Sequence, residues 1–572
     1  MTDVVMALPR HSSAGGTRPR PAGDLRRRTR EPLVLFVAAT AVYLLAGWSL
    51  IHFNIVFGDA LSRVANAYYV LFSRDPHLPA MGFVWNPLPS ISILPILPLK
   101  SLFPGLVALG GAGVIQSALS MAGTVVVLSS CLHKLGVGRN PRLVLVAIFA
   151  LQPGNVMYGG SGMSEPMVLL FLMLTASALI SWMQHHQPGS LVAAGIALGL
   201  AYLARYEAGA SALAVTALVA ATTAVSASGG WADRLRLALN DAALVAAPPA
   251  FAFFFWAASA KILVDEWIPT FSSQYGNSAQ TAAAEQGIEQ ATGDTVGETL
   301  AFLGRQNVGL APLFCVLLVI TAVLAIRKRN PVLLVFIAVF GSVTAFAWLM
   351  LLMRLTFGWA RFQITIIPLT ALLAGAVIGM LFPQTTTCSQ ARPTDKCASR
   401  PWRPIIATAG VLLAVAVAIP TQARLLVDPT LNLRAEEADL VSALLYPDRH
   451  YSDRPGSEQN RQRWVAEREI AAWLDRRDPG EGTVLIDSAY GYAIILSSAN
   501  PRQFVITSDR DFQTSVDDPR SNGIKYIVVQ AEKPADAVQV RWPTLFADGA
   551  GIGILQRSWE AIDGEWRVYA VR

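Results

Sequence analysis

The chain is written in long apolar runs separated by short polar or basic stretches. A membrane span needs about 20 apolar residues. Eleven stretches reach or approach that length: 33–52, 107–131, 142–158, 164–183, 189–205, 208–227, 238–262, 308–326, 331–352, 363–382 and 404–424. The pattern predicts an α-helical polytopic membrane protein with about eleven transmembrane helices. Cations mark the cytoplasmic ends of spans. Arg10, Arg18, Arg20, Arg26, Arg27, Arg28 and Arg30 precede the first run and put a basic tail, residues 1–31, in the cytoplasm. Lys134, Arg139 and Arg142, then Arg234 and Arg236, then Arg327, Lys328 and Arg329, then Arg392, Lys396, Arg400 and Arg403 fall in the loops expected on that same side. The loop 184–188 has no Lys or Arg. An odd number of spans sends residues 425–572 outside. The first run is long and no small-residue cleavage site follows it, so it reads as a retained span and not as a signal peptide.

Two large external loops interrupt the runs, at about 53–89 and 263–307. In the first, Leu61, Val64, Ala65, Tyr68, Leu71 and Phe72 recur at helical spacing. That predicts an amphipathic helix lying on the membrane surface. The stretch 90–106, with Pro95 and Pro98, reads as a broken or re-entrant segment. The middle of the second loop is rich in Ala, Gln and Gly and is expected to be mobile. Beyond residue 424 the pattern changes. Helical spacing covers about 434–446 and 462–477. Val484–Ile486, Ala493–Leu496, Phe504–Ile506, Tyr526–Val529 and Trp566–Val571 read as short strands. The expected organisation is a membrane domain over 32–424 and a small extracytoplasmic α/β domain over 425–572, with no tandem repeat.

Composition supports this layout. Apolar residues make up 53% and charged residues 15%, against roughly 25% charged in a soluble domain. Mean hydropathy is +0.44. A disordered chain, a disulfide-rich secreted scaffold and a simple soluble enzyme are excluded. Residues 430–572 hold 22 acidic and 17 basic residues, so the net +6 divides into −5 there and +11 before it. The basic balance reflects membrane topology and implies no nucleic-acid partner. Four cysteines, Cys131, Cys315, Cys388 and Cys397, form no CxxC pair, and none lies beyond residue 397. A structural zinc site would need more ligands than the Cys388–Cys397 loop offers. A P-loop lysine motif, HExxH and a convincing G-x-S-x-G in the tail are absent. The Ala/Arg/Val-rich usage points to a high-GC, actinobacterial source.

Ionisable groups at membrane depth are costly and usually have a role. Asp59 and Arg63 lie four apart, just outside the first span, and share a helix face. They read either as a carboxylate base beside a cation or as a surface ion pair. Glu165, in Ser164-Glu165-Pro166, opens a span, where the helix dipole alone would favour it. Arg205, Tyr206 and Glu207 sit at the outer end of the fifth span and read as a site or as a self-contained pair. Arg354 and Arg361 flank Phe357-Gly-Trp-Ala360 on the outer face, against the positive-inside trend. A phosphate partner explains them, and so does snorkelling. His77 and Trp85 lie in the first loop, where an aromatic is commonly an interfacial anchor.

This layout resembles the GT-C superfamily of membrane glycosyltransferases. It is most similar to bacterial enzymes of the protein O-mannosyltransferase and aminoarabinose transferase kind. The resemblance covers residues 33–424 and rests on Gly58-Asp59, Ser164-Glu165-Pro166, Arg205-Tyr206-Glu207, and Arg361-Phe362 with Pro368. It implies a polyprenyl-phosphate sugar donor drawn from the membrane lipid and a cell-envelope glycan, lipid or protein acceptor. Mannose is the expected sugar, with arabinose next. Asp59 would be the general base. Arg361, with Arg205 or Arg354, would neutralise phosphate, and Glu165 and Glu207 would orient the acceptor or the arginines. Displacement would invert the anomeric carbon. Family members often place two acids together in the first loop. Here Asp59 stands alone, with Asp75 next, which weakens the case for a metal, and no cofactor is implied. The alternatives are a transporter or flippase of a lipid-linked sugar, and a polymer ligase or wall-binding scaffold. Against transport, the spans show no paired repeats and the candidate residues cluster at outer ends.

Overall fold

The computed structural model describes residues 22–381, 402–433, 437–439, 462–533 and 535–572. The expectations for Cys388, Cys397, Arg10, Arg18, Arg20, Arg392, Lys396, Arg400 and most of the helix over 434–446 lie outside the described residues.

Among the described residues, eight helices are long and apolar enough to cross a membrane, so the protein is a multi-pass membrane protein. Two further expected spans are bent pairs: Arg139–Ala150 with Pro153–Gly160 at 61°, and Val296–Leu310 with Phe314–Lys328 at 81°. The remaining one is the 17-residue helix Pro188–Ala204. Proline sets both breaks. Gln152, before Pro153, and Ala311, before Pro312, leave the helical region (ψ 132° and 78°), as the residue before a proline tends to. Helices approach closely at glycines. A Cβ on Gly160 would lie 2.6 Å from the Gly47 nitrogen, and one on Gly195 would lie 2.7 Å from the Val245 carbonyl oxygen.

The segments between spans at one end of the bundle are more ordered than their composition predicts. The first-loop helix, Gly58–Phe72, does not lie on a membrane surface. Leu61, Val64 and Tyr68 are buried in a core shared with Trp464, Ile470 and Ile495 of the tail. The apolar face read from its spacing is real, but its partner is protein. Residues 88–108 are three short helical pieces broken by prolines. The second loop is not mobile coil. It holds the helices Pro269–Ser272, Asn277–Ala283, Glu285–Thr292 and Val296–Leu310. Ala, Gln and Glu are good helix formers, and Thr295 with Glu298 forms a complete capping box that satisfies two helix-end donors.

The tail carries a five-stranded sheet of order β2-β1-β3-β5-β4. The strands are β1 (Val484–Ile486), β2 (Phe504–Val505), β3 (Tyr526–Gln530), β4 (Gly553–Trp559) and β5 (Trp566–Val571). β1 runs parallel to β2 and β3, and β5 antiparallel to β3 and β4. The expected strand Ala493–Leu496 lies instead within the helix Ser488–Ser497. Asp487 caps that helix by accepting from the Ala489 amide at 2.8 Å, and a short buried apolar run does not tell helix from strand. β4, not expected, is an edge strand whose interior is exposed. The tail is tied to the membrane domain by polar contacts as well as the shared core. Arg74 pairs with Asp509 at 3.2 Å, the Trp464 indole donates to the Val56 carbonyl at 3.1 Å, and the Tyr275 hydroxyl donates to Asp487 at 2.7 Å.

Candidate active site

Four chain turns converge beneath the tail. The Gly58–Phe72 helix begins with Asp59 in its first turn, where the helix dipole favours an acid. Gly162, at φ +77°, lets the turn before Glu165 pass against that helix. A Cβ there would lie 3.2 Å from both Ala60 Cβ and the Gly113 backbone. Ser117 braces the turn, accepting from the Gly162 amide at 3.0 Å and donating to the Gly159 carbonyl at 2.9 Å. Arg205 ends the Pro188–Ala204 helix in an extended conformation. Arg361 lies in the short 3-10 turn Ala360–Gln363. Gln306 pins that turn by donating to the Gly358 carbonyl at 2.8 Å and accepting from Gln363 at 2.6 Å.

These turns bring Asp59, Arg63, Glu165, Arg205, Glu207 and Arg361 into one chain of charge. Arg361 donates to the Asp59 carboxylate at 2.7 Å, and its Nε lies 3.8 Å from Glu165 Oε1. Arg205 donates to that same Glu165 oxygen at 2.8 Å and to Glu207 at 2.6 Å. Glu165 is thus the pivot between the two arginines. Arg63 does not pair with the Asp59 carboxylate, as their spacing suggests. It donates to the Asp59 main-chain oxygen at 2.9 Å, because the carboxylate turns towards Arg361. Arg361 and Glu165 side chains are 4% and 2% exposed, while Asp59 is 36% exposed. Asp59 is therefore the most exposed acid of the cluster. Three cations balance three acids, yet three buried atoms in the cluster lack hydrogen bonds: Arg361 Nε, Glu165 Oε2 and Glu207 Oε2. Buried polar atoms are seldom left unpaired without a reason.

Two cavities share Arg205, Tyr206, Glu207, Arg361 and Phe362. One continues between spans past Val168, Val343, Phe346 and Met350 and is apolar beyond the charges. The other passes Asp59, Arg63, Trp85 and Trp359. A groove then leads from Asp59 and Trp85 to Arg463 and Tyr492 of the tail. The Arg361 guanidinium sits 4.4 Å over the Trp359 ring, which stacks on Phe357 at 4.3 Å. Tyr206 packs edge-on against Phe271 at 5.2 Å.

Two expected site residues are elsewhere. Arg354 donates to Thr292 Oγ1 at 2.7 Å and to the Gly293 carbonyl, so it ties down the second loop. His77 bonds the Asp75 carbonyl at 2.7 Å, and Asp75 faces Arg510 of the tail at 3.4 Å. Neither residue lines the cavities at the cluster. The reading of the sequence omitted Gln280, Trp359 and Tyr492 as site residues. The loop holding Gln280 read as mobile, and the tail holding Tyr492 read as separate. Among the described residues, no three His, Cys, Asp or Glu side chains are grouped to hold a metal ion.

No protein-family model matches the chain, and no curated protein matches it significantly. Among solved structures, it is similar to the crystal structure of ArnT from Cupriavidus metallidurans in the apo state, with 14% identity over 94% of this chain and 97% of that one, and a TM-score of 0.49. The same protein bound to undecaprenyl phosphate aligns at 13% identity over the same shares, with a TM-score of 0.47. The archaeal oligosaccharyltransferase AglB from Archaeoglobus fulgidus, in complex with an inhibitory peptide and a dolichol-phosphate, aligns at 10% identity over 95% of this chain and 74% of that one, with a TM-score of 0.39.

Proposed function

We propose that this protein is a membrane glycosyltransferase that moves a sugar from a polyprenyl-phosphate donor to an acceptor hydroxyl on the extracytoplasmic side. The sugar expected first is mannose, with arabinose next. The observation that carries the reading is the set of unpaired atoms in the charged cluster. Arg361 Nε is an open donor, and Glu165 Oε2 and Glu207 Oε2 are open acceptors. Together they complement a ligand that brings both a phosphate and hydroxyl groups. The apolar cavity beside them suits a lipid tail arriving sideways from the bilayer.

The proposed reaction is a single displacement. The acceptor hydroxyl oxygen bonds to the anomeric carbon while the carbon–oxygen bond to phosphate breaks, inverting that carbon. The electron pair leaves on the phosphate oxygen, and Asp59 takes the hydroxyl proton. Negative charge thus moves from the Asp59 carboxylate to the departing phosphate. Arg361 already touches Asp59 at 2.7 Å and has its Nε open, so one guanidinium serves both ends of that shift. Its planar fork permits this where a lysine ammonium would not. A carboxylate held by an arginine is a weak base. Donor phosphate competing for Arg361 loosens that hold, so Asp59 gains basicity when donor is bound. Arg205, between Glu165 and Glu207, is the second cation near the phosphate. General-base help of this kind is worth about 10²–10⁴-fold. The testing experiment is donor consumption by purified protein in lipid, with polyprenyl-phosphate mannose and polyprenyl-phosphate arabinose, beside Asp59→Asn. Donor untouched by folded wild-type protein would count against the reading.

A further inference from the structure

We propose that a second groove, between Arg305 and Arg424 on the lipid-facing side of the bundle, binds the phosphodiester headgroup of an anionic phospholipid. This goes beyond the transferase reading, and its test needs no turnover.

The groove lies between the helix Val296–Leu310 of the second loop and the end of the helix Ile405–Val427. Val296–Leu310 meets Phe314–Lys328 at 81°. A helix at that angle to a bilayer-crossing one runs nearly along the membrane surface. It has the two faces such a helix needs: Phe302, Leu303, Gln306 and Leu310 are buried, while Val296, Leu300 and Val308 are exposed. Arg424 lies in the last turn of its own helix. Both arginines are exposed, and this placement puts them at headgroup depth. Val308, Leu425 and Leu431 line the groove between them and give apolar surface for the upper acyl chains. The two helices are braced. Gln422 donates to the Leu310 carbonyl at 2.8 Å, and a Cβ on Gly309 would lie 3.1 Å from the Leu425 side chain. Gly304 does the opposite: a Cβ there would meet nothing within 4 Å, so the groove stays open.

Neither Arg305 nor Arg424 has a hydrogen bond or ion pair among the described residues. Asp428 also lines the groove, but its Oδ1 accepts from the Thr430 amide at 2.9 Å and hydroxyl at 2.7 Å, and it pairs with neither arginine. Two cations and one acid leave a single positive charge. A phosphodiester carries a single negative charge and cancels it. A phosphomonoester, with about −1.5 to −2 at pH 7, would leave excess negative charge facing Asp428. Arginine is the side chain whose planar fork matches phosphate oxygens. One unpaired arginine at a membrane surface is explained by snorkelling. Two of them, held on braced helices around one open groove, form a site. Gln306 follows Arg305 and holds the Arg361 turn from the buried face of the same helix. A bound headgroup therefore steadies that helix from the lipid side.

The test uses full-length protein in detergent, titrated separately with phosphatidylglycerol, phosphatidylcholine, sn-glycerol 3-phosphate and polyprenyl phosphate. Native mass spectrometry reads bound lipid, and thermal unfolding is followed alongside. Wild type is compared with Arg305→Gln, Arg424→Gln, the double variant, and Arg329→Gln, an exposed arginine outside the groove. The groove arginines are exposed, so their replacement leaves the core intact. The expected result is phosphatidylglycerol bound more tightly than phosphatidylcholine, with a raised unfolding temperature. Each groove variant should weaken phosphatidylglycerol about 5-fold, the weight of one cation near an anionic lipid, and the double variant about 25-fold. Arg329→Gln should change nothing. Equal affinity for the two phospholipids overturns the proposal. So does phosphatidylglycerol binding that survives the double variant or falls as much in Arg329→Gln. Glycerol phosphate bound as tightly as the lipid would make the ligand a soluble phosphate and overturn the lipid assignment. Polyprenyl phosphate weakened as much as phosphatidylglycerol would give the groove to the carrier lipid instead. None of these outcomes decides whether the protein transfers sugar.

Discussion

Replacing Arg361 by lysine separates charge from shape at the cluster. The guanidinium reaches Asp59 at 2.7 Å with one nitrogen and keeps Nε 3.8 Å from Glu165. It also lies 4.4 Å over the Trp359 ring. Lysine keeps the positive charge, but its three donors radiate from a single nitrogen, so it does not reproduce the planar fork that spans Asp59 and a donor phosphate together. A charge-assisted hydrogen bond is worth about 1.5–3 kcal/mol. Losing one of two therefore predicts a fall in kcat/KM of about 10- to 150-fold. Arg361→Gln removes the charge as well. Removing a group that stabilises transition-state charge costs about 10²–10³-fold in kcat. Breaking a buried ion pair also costs about 3–5 kcal/mol of stability, and the lower end applies because Asp59 is 36% exposed. The assay is transfer of labelled sugar in nanodiscs, with thermal unfolding of each variant alongside. Wild-type kcat/KM in a folded Arg361→Lys protein would refute the bridging role. An activity loss that tracks unfolding alone would refute it too.

Other outcomes follow from the same contacts. Arg354→Ala releases the bonds to Thr292 and Gly293. It should raise hydrogen exchange over 285–293 while leaving donor KM unchanged, and a raised donor KM would return Arg354 to the site. Gly162→Ala puts a side chain at φ +77° against Ala60. It should cost about 1–3 kcal/mol of stability and lower activity, because Glu165 follows that turn; unchanged unfolding would contradict the packing. In the tail, burial and the neighbouring Asp487 push the Asp536 carboxyl up to about 7, and burial pushes Asp509 to about 6. A carboxyl raised on folding binds its proton more tightly in the native state. Its stabilisation is full below its ordinary range near 3.8, declines as pH rises, and is lost above about 7. Hydrogen-exchange protection in the tail should fall as pH rises from about 4 to about 7, and Asp536→Asn should flatten the fall; protection that rises with pH would contradict the assignment.

The spans were legible because each needs a long apolar run, and the cations between them agreed with the count. The members of the cluster were legible too. Charged groups at span ends are few, and Asp59, Glu165, Arg205, Glu207 and Arg361 are among them. Their pairing was not. Asp59 and Arg361 are 302 positions apart, and nothing in local spacing favours that partner over Arg63. Arg354 read as a phosphate ligand because it shares a turn with Arg361. It points instead to a loop whose helices the composition had hidden. Ala493–Leu496 failed as a strand because a four-residue apolar run carries no period, and Asp487, as its helix cap, was not weighed. The amphipathic period of the first loop was right. Periodicity says that a face is covered, not by what, and the tail covers it.

The most direct test of the account is Asp59→Asn assayed in two ways: turnover of polyprenyl-phosphate sugar, and affinity for polyprenyl phosphate itself. The account predicts turnover reduced by at least about 100-fold, the lower bound for a general base. It predicts lipid-phosphate binding equal to or tighter than wild type, because the Asn no longer holds Arg361 by charge. Full turnover by the folded variant would contradict the assignment of Asp59, and weakened phosphate binding would contradict the competition for Arg361.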